Sequence, residues 1–239
     1  MFTVLFYVVL VALLVIFLTA TLLVFPFTVP FDPSRRVVHE ISRGISLLFL
    51  NLAPRWRTRV EGLENVDRGR AYVIVLNHNA MVDIPMLYWV PLNFRWVSKG
   101  EIRAMPFIGQ FLMLHGDILI PRDNPRKAAA MVMDDGCKWL RDRGVSVAIF
   151  PEGTRSKTGE IGRFKSGAFA LAKEAGVGIL PVVLSGSRVI GRHGWMPWRH
   201  DFSVTVLPPV SAEEVAGREV KEVMEEVRES MIAVQSCSI

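Results

Sequence analysis

The sequence contains few cysteines, and its amino-terminal segment contains no charge. Cys137 and Cys237 are the only cysteines among 239 residues, and neither belongs to a C-x-x-C pair. This count excludes a disulfide framework and indicates against a structural zinc site, which fits a reducing, cytosol-facing compartment. No charged side chain precedes Asp32, although 21% of the whole chain is charged. The chain therefore combines an apolar leading segment with a domain of ordinary polarity.

Motifs of nucleic-acid-binding proteins are also missing. The formal charge is +5 and the pI is about 9.5, so the chain favours an anionic partner. Zinc-finger spacing, a basic helix and the aromatic signature of RNA-binding strands are all absent. Together with the apolar leading segment, this charge balance indicates an anionic membrane surface as the partner and argues against nucleic acid.

The leading segment predicts a membrane anchor. As a helix, residues 1–25 would be about 37 Å long, and a bilayer has a hydrocarbon core of about 30 Å. Pro26, Pro30 and Pro33 then interrupt the run. A cleaved signal peptide is the alternative. However, no Lys or Arg precedes the apolar run and no A-x-A site follows it, so we predict an uncleaved anchor.

A second apolar stretch follows, in which residues 34–52 predict a helix capped by Ser34. It is either a core helix or an amphipathic helix in the membrane interface, with Arg35, Arg36, Arg55, Arg57 and Arg59 near the headgroups. The positive-inside rule then places the following domain in the cytoplasm, on the inner (plasma) membrane. We expect an anchor over residues 1–58 and an α/β domain over 59–239. The sequence leaves open whether the first helix spans the bilayer or the pair enters one leaflet.

From residue 59 onward, short runs rich in valine and isoleucine alternate with helical patterns. Strands are predicted at 71–76, 94–97, 117–120, 146–150, 179–184 and 202–207, and helices at 102–114, 126–143, 164–175 and 212–234. This alternation predicts an α/β fold with a mixed, largely parallel sheet flanked by helices. Because ligands gather at the carboxyl ends of such strands, we look for chemistry there.

A histidine and an aspartate follow the first of these buried strands. The segment from Asn77 to Asp83 places His78 at the strand end and Asp83 five residues later. A carboxylate bonded to one imidazole nitrogen fixes the tautomer and leaves the other nitrogen free as a base. The nucleophile pattern G-x-S-x-G is absent, so this base would activate a hydroxyl of the substrate. The alternative is a capping histidine with an unrelated aspartate.

Two more strand ends carry polar groups suited to a phosphate. The strand at 146–150 runs into Glu152, Gly153, Thr154 and Arg155, where glycine permits close approach and arginine offers a planar fork. Arg122 follows the strand at 117–120 and could bind the same phosphate. The alternative is a surface loop closed by a Glu152–Arg155 ion pair. We expect the strand at 179–184 to be structural, with its proline at an edge or strand start.

Taken together, Asn77-His78 with Asp83, Arg122, and the run from Phe150 to Ser156 resemble the glycerolipid acyltransferase family of 1-acyl-glycerol-3-phosphate acyltransferases over residues 59–209. The resemblance implies acyl transfer from acyl-CoA or acyl carrier protein to the sn-2 hydroxyl of lysophosphatidic acid, making phosphatidic acid. It implies that His78 is the general base, that Asp83 orients it, and that Arg122 and residues 152–155 bind the glycerol phosphate.

The chain departs from the family pattern at two positions, with Ala80 where serine is frequent and Pro121 where Asp or Asn is common. Other acceptors therefore stay open: glycerol 3-phosphate, a lyso-ornithine lipid or another lysophospholipid. A lipid hydrolase and a non-catalytic membrane-binding protein are the alternatives from other classes. We expect no metal and no cofactor. We assign no partners to His115 and His193 and expect them to have surface or packing roles.

Overall fold

The computed structural model describes residues 2–53, 55–121, 123–190 and 196–237. Its strands form one seven-stranded sheet in the order β1-β7-β6-β2-β5-β3-β4. The strands are β1 (Arg55–Glu61), β2 (Tyr72–Leu76), β3 (Phe94–Lys99), β4 (Ile118–Ile120), β5 (Ser146–Ile149), β6 (Gly178–Ser185) and β7 (Arg199–Val206). The α-helices are α1 (Phe2–Thr28), α2 (Arg36–Leu50), α3 (Asp83–Met86), α4 (Ile108–His115), α5 (Pro125–Cys137), α6 (Gly167–Ala175), α7 (Ala212–Gly217) and α8 (Val220–Cys237).

The sheet is parallel except at one boundary. Strands β6, β2, β5, β3 and β4 run in one direction, whereas β7 pairs antiparallel to β6 and β1 pairs parallel to β7. Every residue of β2 is buried, because both faces of the sheet are covered by helices. The predicted fold class, a mixed and largely parallel sheet flanked by helices, is confirmed.

Helices on the two faces of the sheet enclose two hydrophobic clusters. One cluster includes residues of α1, α2 and α3 together with Ile74, Leu180 and Val204 from the sheet. The other includes residues of α5, α6 and α8 together with Val73, Val147 and Ile179. Successive residues of a strand point to opposite faces, so Val73 and Ile74 belong to different clusters. The carboxyl edge of the sheet stays accessible between these two layers.

Helix α1 lies along the rest of the protein through one of its faces. Near its start, the Phe6 ring is 5.3 Å from that of Trp56 and 5.7 Å from that of Phe49. Near its end, the guanidinium of Arg35 lies 5.6 Å from the centre of the Phe25 ring. The opposite face is exposed and apolar, with side chains such as Val4, Val8, Val11, Ile16, Leu23 and Phe27. Within the described residues, α1 is the one helix that is both long enough and apolar enough to cross a membrane.

The beginning of α2 and the first strand differ from the sequence-based expectations. Ser34 does not cap α2, because its hydroxyl donates to Asp32, and it is the Asp32 carboxylate that accepts the N–H of Val37 at 2.8 Å. Strand β1 was not predicted. It begins at Arg55, so residues assigned to the anchor join the sheet through the pairing with β7. Alternating arginines at 55, 57 and 59 conceal this strand, because they look like an interfacial charge cluster.

Two other elements were only partly anticipated. The helix predicted at 102–114 is a 3₁₀ turn, Gly100–Ala104, followed by α4, and the break falls at Pro106 and at Phe107, whose φ is 66°. Pro181 lies within β6, which is an interior strand and not an edge. Proline is accommodated there because the ladder with β7 ends at Val182, and beyond it the Pro181 carbonyl only accepts the N–H of Leu207 at 3.0 Å.

Candidate active site

The polar strand ends identified in the sequence meet at one edge of the sheet. Strands β2, β5, β3 and β4 are consecutive and parallel, so their carboxyl ends face the same side. Asn77 and His78 follow β2, Phe150 and Pro151 follow β5, and Lys99 is the last residue of β3. β4 ends at Ile120, paired with Lys99. Arg122 lies outside the described residues.

Asn77 sets the position of the histidine. Its side-chain amide donates to the carbonyl of Leu184 at 2.9 Å and accepts the N–H of the same residue at 2.8 Å. These two bonds continue the pairing of β2 with β6, whose last pair is Leu76 with Val182. Asn77 is buried, so water does not compete for these bonds. The strand end that carries His78 is therefore fixed to the centre of the sheet.

His78 and Asp83 form a hydrogen-bonded pair. The Nδ1 atom of His78 lies 2.8 Å from Oδ2 of Asp83. The imidazole is 15% exposed, whereas the carboxylate is fully buried. A carboxylate accepts hydrogen bonds, so Nδ1 carries the proton and Nε2 presents its lone pair. The alternative of a capping histidine with an unrelated aspartate is wrong.

Asp83 also holds the loop between the two residues. Its Oδ2 atom accepts the backbone N–H of Asn79 at 2.6 Å and of Ala80 at 2.8 Å, in addition to the imidazole. Asp83 is the first residue of the short helix α3, which turns the chain back toward β2. The five-residue spacing is therefore the length of a closed loop centred on one carboxylate oxygen.

The loop after β5 begins with a tight turn. The N–H of Gly153 donates to the carbonyl of Phe150 at 3.0 Å, with Pro151 at the second position of the turn. Gly153 has a φ of 70°, in the left-handed region that favours glycine. A Cβ atom at this position would lie 2.7 Å from Nζ of Lys165, so the lysine ammonium group occupies the space that glycine leaves open.

Three hydrogen bonds join this loop to His78 and to the chain beyond it. Glu152 accepts the backbone N–H of His78 through Oε1 at 3.1 Å and that of Gly162 through Oε2 at 3.0 Å. The N–H of Ser156 donates to the carbonyl of His78 at 2.7 Å. Both carboxylate oxygens of Glu152 therefore accept backbone N–H groups. Among the described residues, Glu152 makes no ion pair with Arg155, so the alternative of a loop closed by that pair is wrong. A substrate-binding role for Glu152 stays a prediction.

Cationic side chains surround this loop. Arg155 and Lys165 are exposed, and Lys99 is partly exposed at the end of β3. Within the described part of the chain, none of the three has a carboxylate in ion-pair contact. Lys99 was missed in the sequence because a single lysine at a strand end has no motif of its own. The exposed Thr154 adds a hydroxyl beside Arg155.

A second histidine–aspartate pair lies in the interior. His115 Nδ1 is 2.7 Å from Oδ1 of Asp117, and its Nε2 is 3.2 Å from Nδ1 of His39 and 3.3 Å from Nη1 of Arg95. Burial lowers the pKa of both histidines. His115 therefore belongs to a buried network that joins α2, β3 and α4, where no partner had been assigned. His193 lies outside the described residues.

No group of three metal-ligating side chains exists in residues 2–53, 55–121, 123–190 and 196–237. What the described site offers is an oriented imidazole, a glycine turn and unpaired cations at one sheet edge. This combination suits proton transfer next to an anionic substrate.

Comparison with known proteins places the chain in a family. Residues 57–185 match the Acyltransferase family model. The chain is 36% identical over 165 residues to the chloroplastic 1-acyl-sn-glycerol-3-phosphate acyltransferase LPAT1 of Arabidopsis thaliana, a match that covers 68% of this chain and 45% of that protein. It is 31% identical over 222 residues to the 1-acyl-sn-glycerol-3-phosphate acyltransferase of Pseudomonas aeruginosa, covering 92% and 84%. The chain belongs to the acyltransferase family, as the sequence motifs predicted.

The coverage of these matches differs. The chain spans about half the length of the first plant and algal relatives it matches. Among solved structures, the 1-acyl-sn-glycerophosphate acyltransferase PlsC from Thermotoga maritima superposes with a TM-score of 0.77, covering 98% of this chain and 94% of that one at 22% identity. At this identity the likeness shows the fold, which extends over the sheet and the amino-terminal helices.

Proposed function

We propose that the protein transfers a fatty acyl chain from an acyl thioester to the sn-2 hydroxyl of lysophosphatidic acid, which makes phosphatidic acid. The observation that carries the proposal is the His78–Asp83 pair, at 2.8 Å, hydrogen-bonded through the backbone to the loop that bears Arg155. A base for a hydroxyl and a cation for a phosphate therefore share one scaffold. The relatives named as 1-acyl-sn-glycerol-3-phosphate acyltransferases support this choice of acceptor.

The reaction begins with proton transfer to His78. The acceptor hydroxyl donates to Nε2, the nitrogen that Asp83 leaves free, and its oxygen attacks the thioester carbonyl as the proton moves. Asp83 stabilises the imidazolium that results. When the tetrahedral intermediate collapses, the carbon–sulfur bond breaks and the imidazolium returns the proton to the thiolate. The products are the diacyl phospholipid and the free thiol.

The tetrahedral oxyanion needs hydrogen-bond donors, and the structure narrows the choice. The N–H groups of Asn79 and Ala80 donate to Asp83, and that of Gly153 donates within its turn. Among the described residues, the N–H groups of Met81, Val82, Glu152, Thr154 and Arg155 have no acceptor. We assign the oxyanion to those of Thr154 and Arg155, because they lie in the loop whose Ser156 N–H is bonded to the carbonyl of His78.

The phosphate of the acceptor binds beside the base. Strand β5, which leads to Arg155, is the neighbour of β2, so its end is about 4.8 Å from that of β2. Strand β3, which ends at Lys99, is about 10 Å away by the same spacing. Arg155 and Lys165 therefore suit the phosphate of a hydroxyl held at His78, and Lys99 suits its outer oxygens; the phosphate-binding role of Arg122 stays a prediction from the sequence. Arginine gives two parallel hydrogen bonds to such a group.

The acyl donor is acyl-CoA or acyl carrier protein, and neither cofactor nor metal is required by this mechanism. Acyl carrier protein would be an acidic partner for a chain of formal charge +5. The net charge does not distinguish the two donors, so the activity assay has to include both.

The membrane supplies the acceptor. Moving a sixteen-carbon chain from the bilayer into water costs about 12 kcal/mol of free energy, at roughly 0.8 kcal/mol per methylene. An enzyme at the interface avoids most of that cost. Both ends of α1 contact the rest of the protein, at Phe6 and Phe25. We therefore infer that α1 lies in one leaflet with its exposed apolar face toward the lipid, and that the sheet stays on the cytoplasmic side of the inner membrane.

An acceptor panel tests the proposal. Purified protein in mixed micelles would receive labelled palmitoyl-CoA or palmitoyl carrier protein with lysophosphatidic acid, glycerol 3-phosphate, a lyso-ornithine lipid or lysophosphatidylcholine. We expect phosphatidic acid from the first acceptor and rates at least tenfold lower with the rest. His78→Ala should be inactive, whereas His200→Ala, a histidine substitution on β7, should keep its activity. Faster acylation of another acceptor, or steady release of fatty acid without one, would overturn the proposal.

A further inference from the structure

An aromatic side chain lies flat against the imidazole of His78. The ring of Phe150 is centred 4.0 Å from the imidazole, and the two planes differ by 16°. On its other side the Phe150 ring lies 5.2 Å from that of Trp96, at 18°. Three nearly parallel rings therefore form a stack, which we call the His78 stack, and His78 is its outermost member.

The lower members of the His78 stack are held by the sheet. Phe150 follows β5 directly, and Trp96 belongs to the neighbouring strand β3, where it pairs with Ala148. Trp96 is 2% exposed, and its backbone N–H donates to Oδ1 of Asp117 at 2.8 Å. The sheet therefore anchors the backbone of both residues on neighbouring strands, and burial restricts the Trp96 ring behind Phe150.

The bond to Asp83 alone leaves one motion of His78 unrestricted. A single hydrogen bond at Nδ1 fixes one point on the imidazole edge, but the Cα–Cβ and Cβ–Cγ torsions can still change together, so that the ring plane rotates about that point. That rotation would move Nε2, the atom that receives the proton. A flat ring 4.0 Å away blocks it from one side.

We propose that Phe150 is a positioning residue for His78: by stacking, it fixes the plane of the imidazole and so aims Nε2 at the acceptor hydroxyl. The inference rests on the proposed function in assigning a base role to His78. It assigns a separate task to each partner, because Asp83 sets the tautomer and Phe150 sets the plane. Displacing a reacting atom by about 1 Å can lower a rate on the order of 100-fold.

The test compares variants with and without a flat ring. Phe150→Leu and Phe150→Met remove the ring while nearly keeping the volume, and Phe150→Tyr retains it. Phe202→Leu is the matched control, because Phe202 lies in β7 between a histidine and a tryptophan, with His200 at 4.8 Å and Trp56 at 5.3 Å, remote from His78. Thermal unfolding of all four variants reports any loss of packing.

For Phe150→Leu and Phe150→Met we expect kcat to fall by roughly 10- to 100-fold, while KM for the acceptor changes by less than about threefold. Phe150→Tyr should recover most of kcat, and Phe202→Leu should retain it at an equal or lower melting temperature. The proposal is overturned if both ring-free variants keep kcat near that of the control, or if kcat follows the melting temperature across the series.

A spectroscopic measurement makes the result independent of the reaction. With histidine labelled with ¹³C at Cε1, the ring current of Phe150 should displace the His78 signal upfield, and His78→Ala identifies that signal. We expect the displacement to disappear in Phe150→Leu and to persist in Phe150→Tyr. An unchanged signal in Phe150→Leu would refute the stack even if the protein acylates lysophosphatidic acid. If the displacement disappears in Phe150→Leu but the unsubstituted protein does not acylate lysophosphatidic acid, only the proposed function is refuted.

Discussion

Replacing Asp83 with asparagine should separate the role of the carboxylate from that of the loop it holds. The Oδ2 atom of Asp83 accepts three N–H groups, from the imidazole of His78 and from the backbone of Asn79 and Ala80. An asparagine amide can present oxygen to this position only without the negative charge, or it can present NH₂, which cannot accept. In the second case the imidazole must turn its proton to Nε2, and the base is lost.

The magnitude follows from these two cases. In hydrolytic triads the equivalent asparagine substitution lowers kcat by about 10⁴ because the wrong tautomer results. The loss of a charged acceptor for buried N–H groups costs about 1–3 kcal/mol of stability. We therefore expect Asp83→Asn to fold with a lower melting temperature and to show kcat reduced by about 10³- to 10⁴-fold, with little change in KM for the acceptor.

The assay is acyl transfer to lysophosphatidic acid at saturating acceptor, with thermal unfolding of the same samples. Asp32→Asn is the control, because Asp32 is also a carboxylate that accepts a side-chain donor, from Ser34, and a backbone N–H, from Val37, but at the start of α2. That variant should lose stability and keep kcat within about tenfold. If Asp83→Asn remains folded and retains more than a tenth of kcat, Asp83 does not orient the base.

Three further predictions concern the rest of the site and the interior. Arg155→Gln should raise KM for lysophosphatidic acid at least tenfold with kcat largely retained, measured by initial rates, because a phosphate ligand is lost. An unchanged KM would exclude Arg155 as a ligand of the phosphate. Gly153→Ala should lower the free energy of unfolding, measured by chemical denaturation, by about 1–2 kcal/mol, because φ is 70° and the Lys165 side chain must move. An unchanged free energy of unfolding would contradict this. Burial lowers the pKa of His39 and His115 in the folded protein. Below a pH of about 6.5, the pKa of histidine in the unfolded chain, the unfolded chain therefore binds more protons than the folded protein. The free energy of unfolding should then fall as the pH falls, by up to about 1.4 kcal/mol per pH unit for each histidine. A free energy equal at pH 7.5 and 5.5 would refute that burial effect.

The parts of the fold that follow local rules were predictable from the sequence. Strand β2 is a continuous apolar run ended by polar residues, and its position at the centre of a parallel sheet follows from that pattern. The pairing of His78 with Asp83 was also predictable, since the spacing matches a family motif. Strand β1 could not be found in this way, because alternating arginines on an edge strand match a charged membrane-proximal segment equally well.

Contacts between residues distant in the sequence escaped prediction for a different reason. The substrate-binding role of Glu152 stays a prediction, but the sequence did not reveal that its carboxylate accepts the N–H groups of His78 and Gly162. These contacts form where two loops meet in the folded protein, and the sequence of one loop does not show which other loop lies beside it. The same holds for the Phe150 ring on His78 and for the bond between His115 and His39, each of which joins separate elements.

The most direct test of the account is whether thiol release requires the acceptor. If His78 activates the substrate hydroxyl and no enzyme group carries the acyl chain, rapid mixing of protein with palmitoyl-CoA alone should give no burst of CoA and no acyl adduct in the intact mass. Adding lysophosphatidic acid should start CoA release at the rate of phosphatidic acid formation, and His78→Ala should abolish both. A stoichiometric burst of CoA without acceptor, with a matching acyl-protein mass, would contradict the account.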